Sequence, residues 1–297
     1  MDSILVSVSR RFDKFLADAR LTATQLAEGR RAKESVVATL NRHYYGIRSS
    51  DQHSRFIGSW AKSTRIRPPR DVDVQFILPQ SVRDRFDLRV GNKQSQILQE
   101  VKGVLSKEYY STSIRGDGPV VQKPFSKILV EVVPAFVRYP SGTYVCVTSY
   151  GGYYKAEDYP AQEAHINASN SRTNGNTKDL IRMLKVWQRH CNVPLRSFLI
   201  ELTSVGFLDN WGSSGKSSTY YDWMIRDYFQ YLLRLQNGTA YAPGTGEAIS
   251  LGDAWASRAE TALARARRGC EFESAELIIS AGEEWQKIFG ANIPKYV

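Results

Sequence analysis

Asp71 and Asp73 stand two residues apart in the run Asp71-Val72-Asp73-Val74-Gln75-Phe76-Ile77-Leu78. Val72, Val74, Phe76 and Leu78 alternate with polar positions, which predicts a strand with its apolar side in a core and both carboxylates on the opposite face. Hard oxygen ligands at i and i+2 suit Mg²⁺, an ion that keeps several waters and shares carboxylates with phosphates. Separated from Asp71 by eleven residues, the small pair Gly58-Ser59 follows Phe56-Ile57, and predicts a loop whose backbone N–H groups can approach a phosphate closely. Together these residues point to metal-dependent phosphoryl chemistry.

A third acid is available. Lys127 to Phe136 reads as a buried strand interrupted by Glu131 and ending at Pro134. An acid inside an apolar strand needs a partner; a metal is the better one here, and an ion pair with a cation such as Arg115 is the alternative. A cationic constellation lies further on. In Asn176 to Arg189, Leu180, Leu184 and Trp187 recur at helical spacing behind a candidate N-cap, Thr177. Lys178, Arg182, Lys185 and Arg189 then fall within a stripe roughly 60° wide.

The wording from Gly58 to Val74, with Lys62, Thr64, Ile66-Arg67-Pro68 and Asp71-Val72-Asp73 in place, resembles the signature of the polymerase-β-like nucleotidyltransferases. It resembles more narrowly the bacterial CD-NTases of CBASS anti-phage defence, relatives of animal cyclic GMP-AMP synthase and the oligoadenylate synthetases. The resemblance implies that Gly58, Ser59 and Lys62 contact a nucleoside triphosphate and that Asp71 and Asp73 hold two Mg²⁺, for which Mn²⁺ can substitute. It places a third metal ligand at Glu131, where family members usually have Asp. Leu184-Lys185-x-Trp187 and Ser197-Phe198 look like the family's helical lobe, so Arg182, Lys185 and Ser197 are expected on the donor triphosphate. Glu283 to Gly290 also resembles the family's C-terminal stretch; its residues read as a helix packed through Trp285 and Phe289 and closed by Gly290.

The elements that must position these groups follow from composition and pattern. The chain has 297 residues, 42% of them hydrophobic, enough for a substantial core in one large or two small domains. Leu21 to Tyr45 predicts a long spine helix capped by Thr22 or Thr24. Strands are predicted at 72–78, 120–121, 128–133 and 143–147, and mostly helix beyond Tyr150. The fold expected is α/β (α+β): a bilobed nucleotidyltransferase core with a mixed sheet, a catalytic core with the spine helix over residues 1–150, and a helical lobe over 151–297 that closes the donor pocket. Tyr150 to Asn176 is read as the junction, and Tyr150, Tyr153, Tyr154 and Tyr159 offer rings for a base or for packing.

The remaining features narrow the function class. Formal charge is +10 and favours an anionic partner, with Lys62, Arg65, Arg67 and Arg70 crowding the loop before Asp71. The basic run Ala262 to Arg268 reads as a solvated helix face. Cys146, Cys191 and Cys270 form no C-x-x-C and four histidines show no zinc spacing, so reduced thiols and no zinc are expected. There is no run of eighteen apolar residues and no signal peptide, hence a cytoplasmic protein without membrane attachment. Gly212 to Ser218 mimics a phosphate loop but has Asn210 where the motif needs Gly. The reaction expected is the joining of ATP and other nucleoside triphosphates into a cyclic di- or trinucleotide second messenger, read by a downstream effector. Activation by a protein partner, the bases used and the linkage stay open, and nucleic-acid binding is not expected. The alternatives are a nucleotidyltransferase that extends RNA or modifies a small molecule, and an inactive nucleotide-binding scaffold.

Overall fold

Local chemistry and long-range pairing divide the chain into two compact units, seen in a computed structural model that describes residues 2–110 and 112–297, with side chains from residue 7 onward. In chain order the elements are α1 (Asp2–Ala19), α2 (Ala23–Tyr45), β1 (Ser54–Phe56), α3 (Gly58–Lys62), β2 (Asp71–Ile77), α4 (Gln80–Asp87), α5 (Lys93–Glu108), β3 (Arg115–Asp117), β4 (Val120–Pro124), β5 (Leu129–Val137), β6 (Thr143–Val147), β7 (Tyr153–Glu157) and α6 (Tyr159–Arg172). They continue with α7 (Asn176–His190), α8 (Ser197–Leu208), α9 (Tyr221–Leu233), β8 (Thr239–Tyr241), β9 (Ala248–Ser250), α10 (Ala256–Ser274) and α11 (Ile278–Phe289).

The sheet unit comprises residues 21–63 and 68–163. Its mixed sheet runs β1-β2-β5-β4-β3, with β6 pairing β5 and β7 at the other end of β5. β2 and β5 are parallel and every other pairing is antiparallel. Val72, Val74 and Phe76 of β2 are buried with Val130 and Val132 of β5 and with Val36, Val37 and Leu40 of α2, each such side chain contributing about 1.5–3 kcal/mol on burial. α2 begins at a capping box in which Thr22 accepts from the Gln25 N–H and the Gln25 side chain answers the Thr22 N–H.

Two of three expectations change here. Strand β5 runs through Pro134 to Val137 instead of ending at the proline. Pro134 falls between Val132, the last residue paired with β4, and Ala135, the first paired with β6; the change of partner leaves room for a residue without an N–H. The junction expected over Tyr150 to Asn176 does contain the division between the units, at 163/164, which falls within α6. The loop expected at Gly58-Ser59 is the short helix α3.

The helical unit comprises residues 2–20, 64–67 and 164–297. The chain was expected to divide at 150/151; the division lies at 163/164, and residues 2–20 and 64–67 belong with the helices. The reason is burial: Val8, Phe12, Phe15 and Leu16 of α1 share one core with Trp187, Tyr228, Trp285 and Phe289, and Ile66 joins it. Arg11, fully buried, pairs with Glu273 at 2.8 Å and donates to the carbonyls of Ile278, Pro294 and Lys295. Arg67, expected among phosphate-facing cations, instead closes the C-terminal end of α1: its N–H reaches Ala19 O at 2.8 Å and its guanidinium Arg20 O at 2.7 Å. Thr177 is not the N-cap of α7. Gly175 holds that place, while Thr173 Oγ1 and Asn170 Oδ1 accept the first free N–H groups, from Thr177 and Lys178. The C-terminal stretch folds as read, with Trp285 and Phe289 buried in α11 and Gly290 closing it. Among the described residues no helix is long and apolar enough to cross a membrane.

Candidate active site

Strand pairing brings the three acids together. Asp73 stands opposite Glu131 across the parallel β2–β5 pair, and Asp71 opposite Leu129. Asp71 and Asp73 share a face by the two-residue period, and opposed residues share a face across the pair. Oxygen atoms of Asp71, Asp73 and Glu131 lie within 4.8 Å of one another.

The backbone around this cluster is pinned. Trp60 Nε1 donates to Asp71 O at 2.7 Å, and the Ile57 N–H donates to Asp73 O at 3.0 Å. Gly58 has φ +56, and a Cβ built on it would stand 2.5 Å from Asp73 Oδ2. Glycine is therefore required twice, for the left-handed backbone and for the space the carboxylate occupies. This is a physical reason for a glycine immediately before Ser59.

Electrostatics at Glu131 depart from those of a surface acid. Burial pushes its carboxyl above the usual range, the Gln122 hydrogen bond draws it back, and the negative charges of Asp71 and Asp117 push it up again. Arg115, the alternative partner, stands opposite Gln122 rather than Glu131, and Gln122 Nε2 donates to Glu131 Oε1 at 2.8 Å. Three clustered carboxylates offer only hard oxygen and repel one another, so a divalent cation such as Mg²⁺ or Mn²⁺ fits the donor set.

The cationic candidates are already engaged. Lys62 is buried, with Nζ 3.4 Å from Gln162 Oε1; Gln162 Nε2 in turn donates to Glu157. In the helical unit Lys185 is buried on α7, donating to Glu201 Oε1 at 2.7 Å and to Thr64 Oγ1 at 3.0 Å. Arg182 pairs with Asp179 at 2.5 Å, and burial lowers its affinity for the proton. Arg189 donates to Arg67 O. The stripe on α7 is thus only partly a charged face. Ser197, the first residue of α8, donates to Gln188 Oε1 at 3.0 Å. Of the tyrosines, Tyr154 lies under the Arg83 guanidinium at 4.5 Å, and the Tyr159 hydroxyl is pushed up by burial and by Glu157 and Asp73.

Gln122 and Trp60 were absent from the sequence reading as site residues. Neither carries a motif, and Gln122 becomes visible only through the register of three strands.

Comparison with known proteins finds a matching family and solved structures of the same fold. A model of the Second Messenger Oligonucleotide or Dinucleotide Synthetase domain matches residues 6–170. A curated relative, the probable cyclic nucleotide synthase of Bacillus cereus strain VD146, is 22% identical over 280 residues, covering 80% of this chain and 81% of its own length. Two solved structures share the fold. Escherichia coli MS115-1 CdnC with ATP has a TM-score of 0.70 at 17% identity, covering 96% of this chain and 98% of that one. Vibrio cholerae DncV cyclic AMP-GMP synthase, with the linear intermediate pppA(3′,5′)pG, has a TM-score of 0.67 at 12% identity, covering 98% of this chain and 88% of that one.

Proposed function

The chain belongs to the Second Messenger Oligonucleotide or Dinucleotide Synthetase family and is a nucleotidyltransferase that makes cyclic oligonucleotides, and on that premise we propose the substrates, ions and residue roles. ATP, with other nucleoside triphosphates, is joined into a cyclic di- or trinucleotide with release of pyrophosphate. The product is a CBASS signal in the cytoplasm, read by a downstream effector; the three free thiols suit a reducing compartment. The acidic cluster on β2 and β5 carries the proposal, because paired strands bring oxygen atoms of three carboxylates within 4.8 Å of one another.

Asp71, Asp73 and Glu131 would hold two Mg²⁺, with Mn²⁺ able to substitute. When bound, the ions supply charge neutralisation for the attacking and departing oxygens of a phosphoryl transfer. Glu131 has a second role in this reading: a carboxylate oxygen accepts the proton of a ribose hydroxyl. Gly58, Ser59 and Lys62 are assigned to the triphosphate, and in the helical unit Arg182, Lys185 and Ser197.

The test is incubation with each labelled nucleoside triphosphate and Mg²⁺ or Mn²⁺, followed by phosphatase and nuclease digestion and mass analysis. A phosphatase-resistant product lacking terminal phosphates is expected. A ladder of linear RNA, or a nucleotidylated small molecule, would establish the other transferase readings. Nucleotide binding without any product would identify a scaffold.

A further inference from the structure

Glu131 is one methylene longer than the two aspartates it meets, so one more torsion must be fixed before its carboxylate can act with theirs. The sheet supplies the means. Asp73 on β2 faces Glu131 on β5, Glu131 faces Gln122 on β4, and Gln122 faces Arg115 on β3. Directly opposed residues point to the same side, so these polar side chains form one row across four strands. Within it Gln122 Nε2 donates to Glu131 Oε1 at 2.8 Å and reaches Asp117 Oδ2 at 3.4 Å. Gripping one oxygen leaves the other available to the cluster. The amide is also neutral: it directs the carboxylate without cancelling the charge that would attract a cation, as a lysine or arginine would.

We propose that Gln122 is a positioning residue that orients the Glu131 carboxylate, so that a glutamate completes a site otherwise made of aspartates. The proposal rests on the metal-site reading above. Hydrogen-bonding partners of ligating carboxylates typically contribute ten- to hundred-fold in metal affinity.

The experiment measures Mn²⁺ binding to the full chain without nucleotide, from the loss of the free-ion signal in electron paramagnetic resonance. Gln122→Met keeps the length and loses both donors, and should weaken binding about ten-fold or more. Gln122→Asn keeps the amide but cannot span the gap; it should weaken binding too, and it provides the same measurement if the methionine variant does not fold. The discriminating step repeats the change in Glu131→Asp. The shorter acid withdraws from the amide, so the added Gln122 substitution should there cost less than about two-fold, since coupling exists only between groups in contact. Unchanged Mn²⁺ affinity in both Gln122 variants, or a loss of the same size whether or not Glu131→Asp is also present, overturns the proposal. Asp71→Asn with Asp73→Asn is the control for the site itself. Mn²⁺ binding retained in that variant sinks the metal-centre reading, whereas binding lost there and intact in the Gln122 variants sinks only the role of Gln122.

Discussion

At Glu131 two substitutions separate length from charge. Glu131→Asp should keep activity, since the acid remains on the same face of β5. Glu131→Gln should lose most of it, because the amide neither holds a cation nor accepts the proton. Stability should move the other way. The carboxyl is held above its ordinary value by burial and by Asp71 and Asp117, so without metal the folded state is penalised as pH rises through the folded-state value and is free of that penalty below the ordinary one. Glu131→Gln should therefore leave the melting temperature unchanged or higher at neutral pH, measured without divalent ions. A melting temperature that falls in step with activity would point to a structural ion pair instead. At Gly58 the conflict is steric. Gly58→Ala places a methyl group where Asp73 Oδ2 now lies, at φ +56; the side chain can swing aside and the backbone strain is about 1–2 kcal/mol. Turnover should thus fall far more than stability, and an alanine variant with full turnover would show that the Asp73 carboxylate can act from another position.

Helix α7 shows how a charged stripe read from spacing becomes several different environments. Lys185 is a buried partner of Glu201, itself 3% exposed, so Lys185→Ala should cost roughly 3 kcal/mol in urea unfolding by removing one member of a buried ion pair. Ser197→Ala, at an exposed position, should stay within about 0.5 kcal/mol. If both side chains meet the triphosphate, both variants raise the nucleotide KM, Lys185→Ala by about ten-fold or more; a normal KM in both would remove them from the substrate. Spacing made β2, β6, α2 with its Thr22 cap and the body of α7 legible, since each depends on a period or a cap within one stretch of chain. It could not reveal that β5 continues through Pro134, because the tolerance comes from β4 and β6 exchanging places beside it. Gln122 was hidden for the same reason: in Val-Val-Gln-Lys it is an ordinary polar strand position until register places it against Glu131. The N-cap at Thr177 misled because Thr173 and Asn170, in the preceding turn, took over the capping.

On the scale of the whole molecule, stability has a pH dependence set within the helical unit. Asp222 on α9 is 5% exposed, and burial, reinforced by Glu273, pushes its carboxyl up to about 7 despite the backbone N–H of Trp223 and Arg226. A raised acid favours folding below its ordinary value and withdraws that advantage as pH climbs to about 7. The gain in melting temperature from Asp222→Asn should be smallest near pH 4 and level off above about pH 7; calorimetry across that range checks it, and a gain independent of pH would assign the effect to packing. The interleaving of the two units carries a consequence for synthesis. The sheet unit lies within residues 21–163, but the helical unit needs α1 together with α7 to α11. During translation the Phe12, Phe15 and Leu16 face of α1 must wait while some 160 residues are added, roughly ten to thirty seconds at ordinary elongation rates. A released chain ending near residue 163 would hold a complete sheet unit and a helix whose apolar face has no core to enter, a species suited to chaperone capture rather than to catalysis.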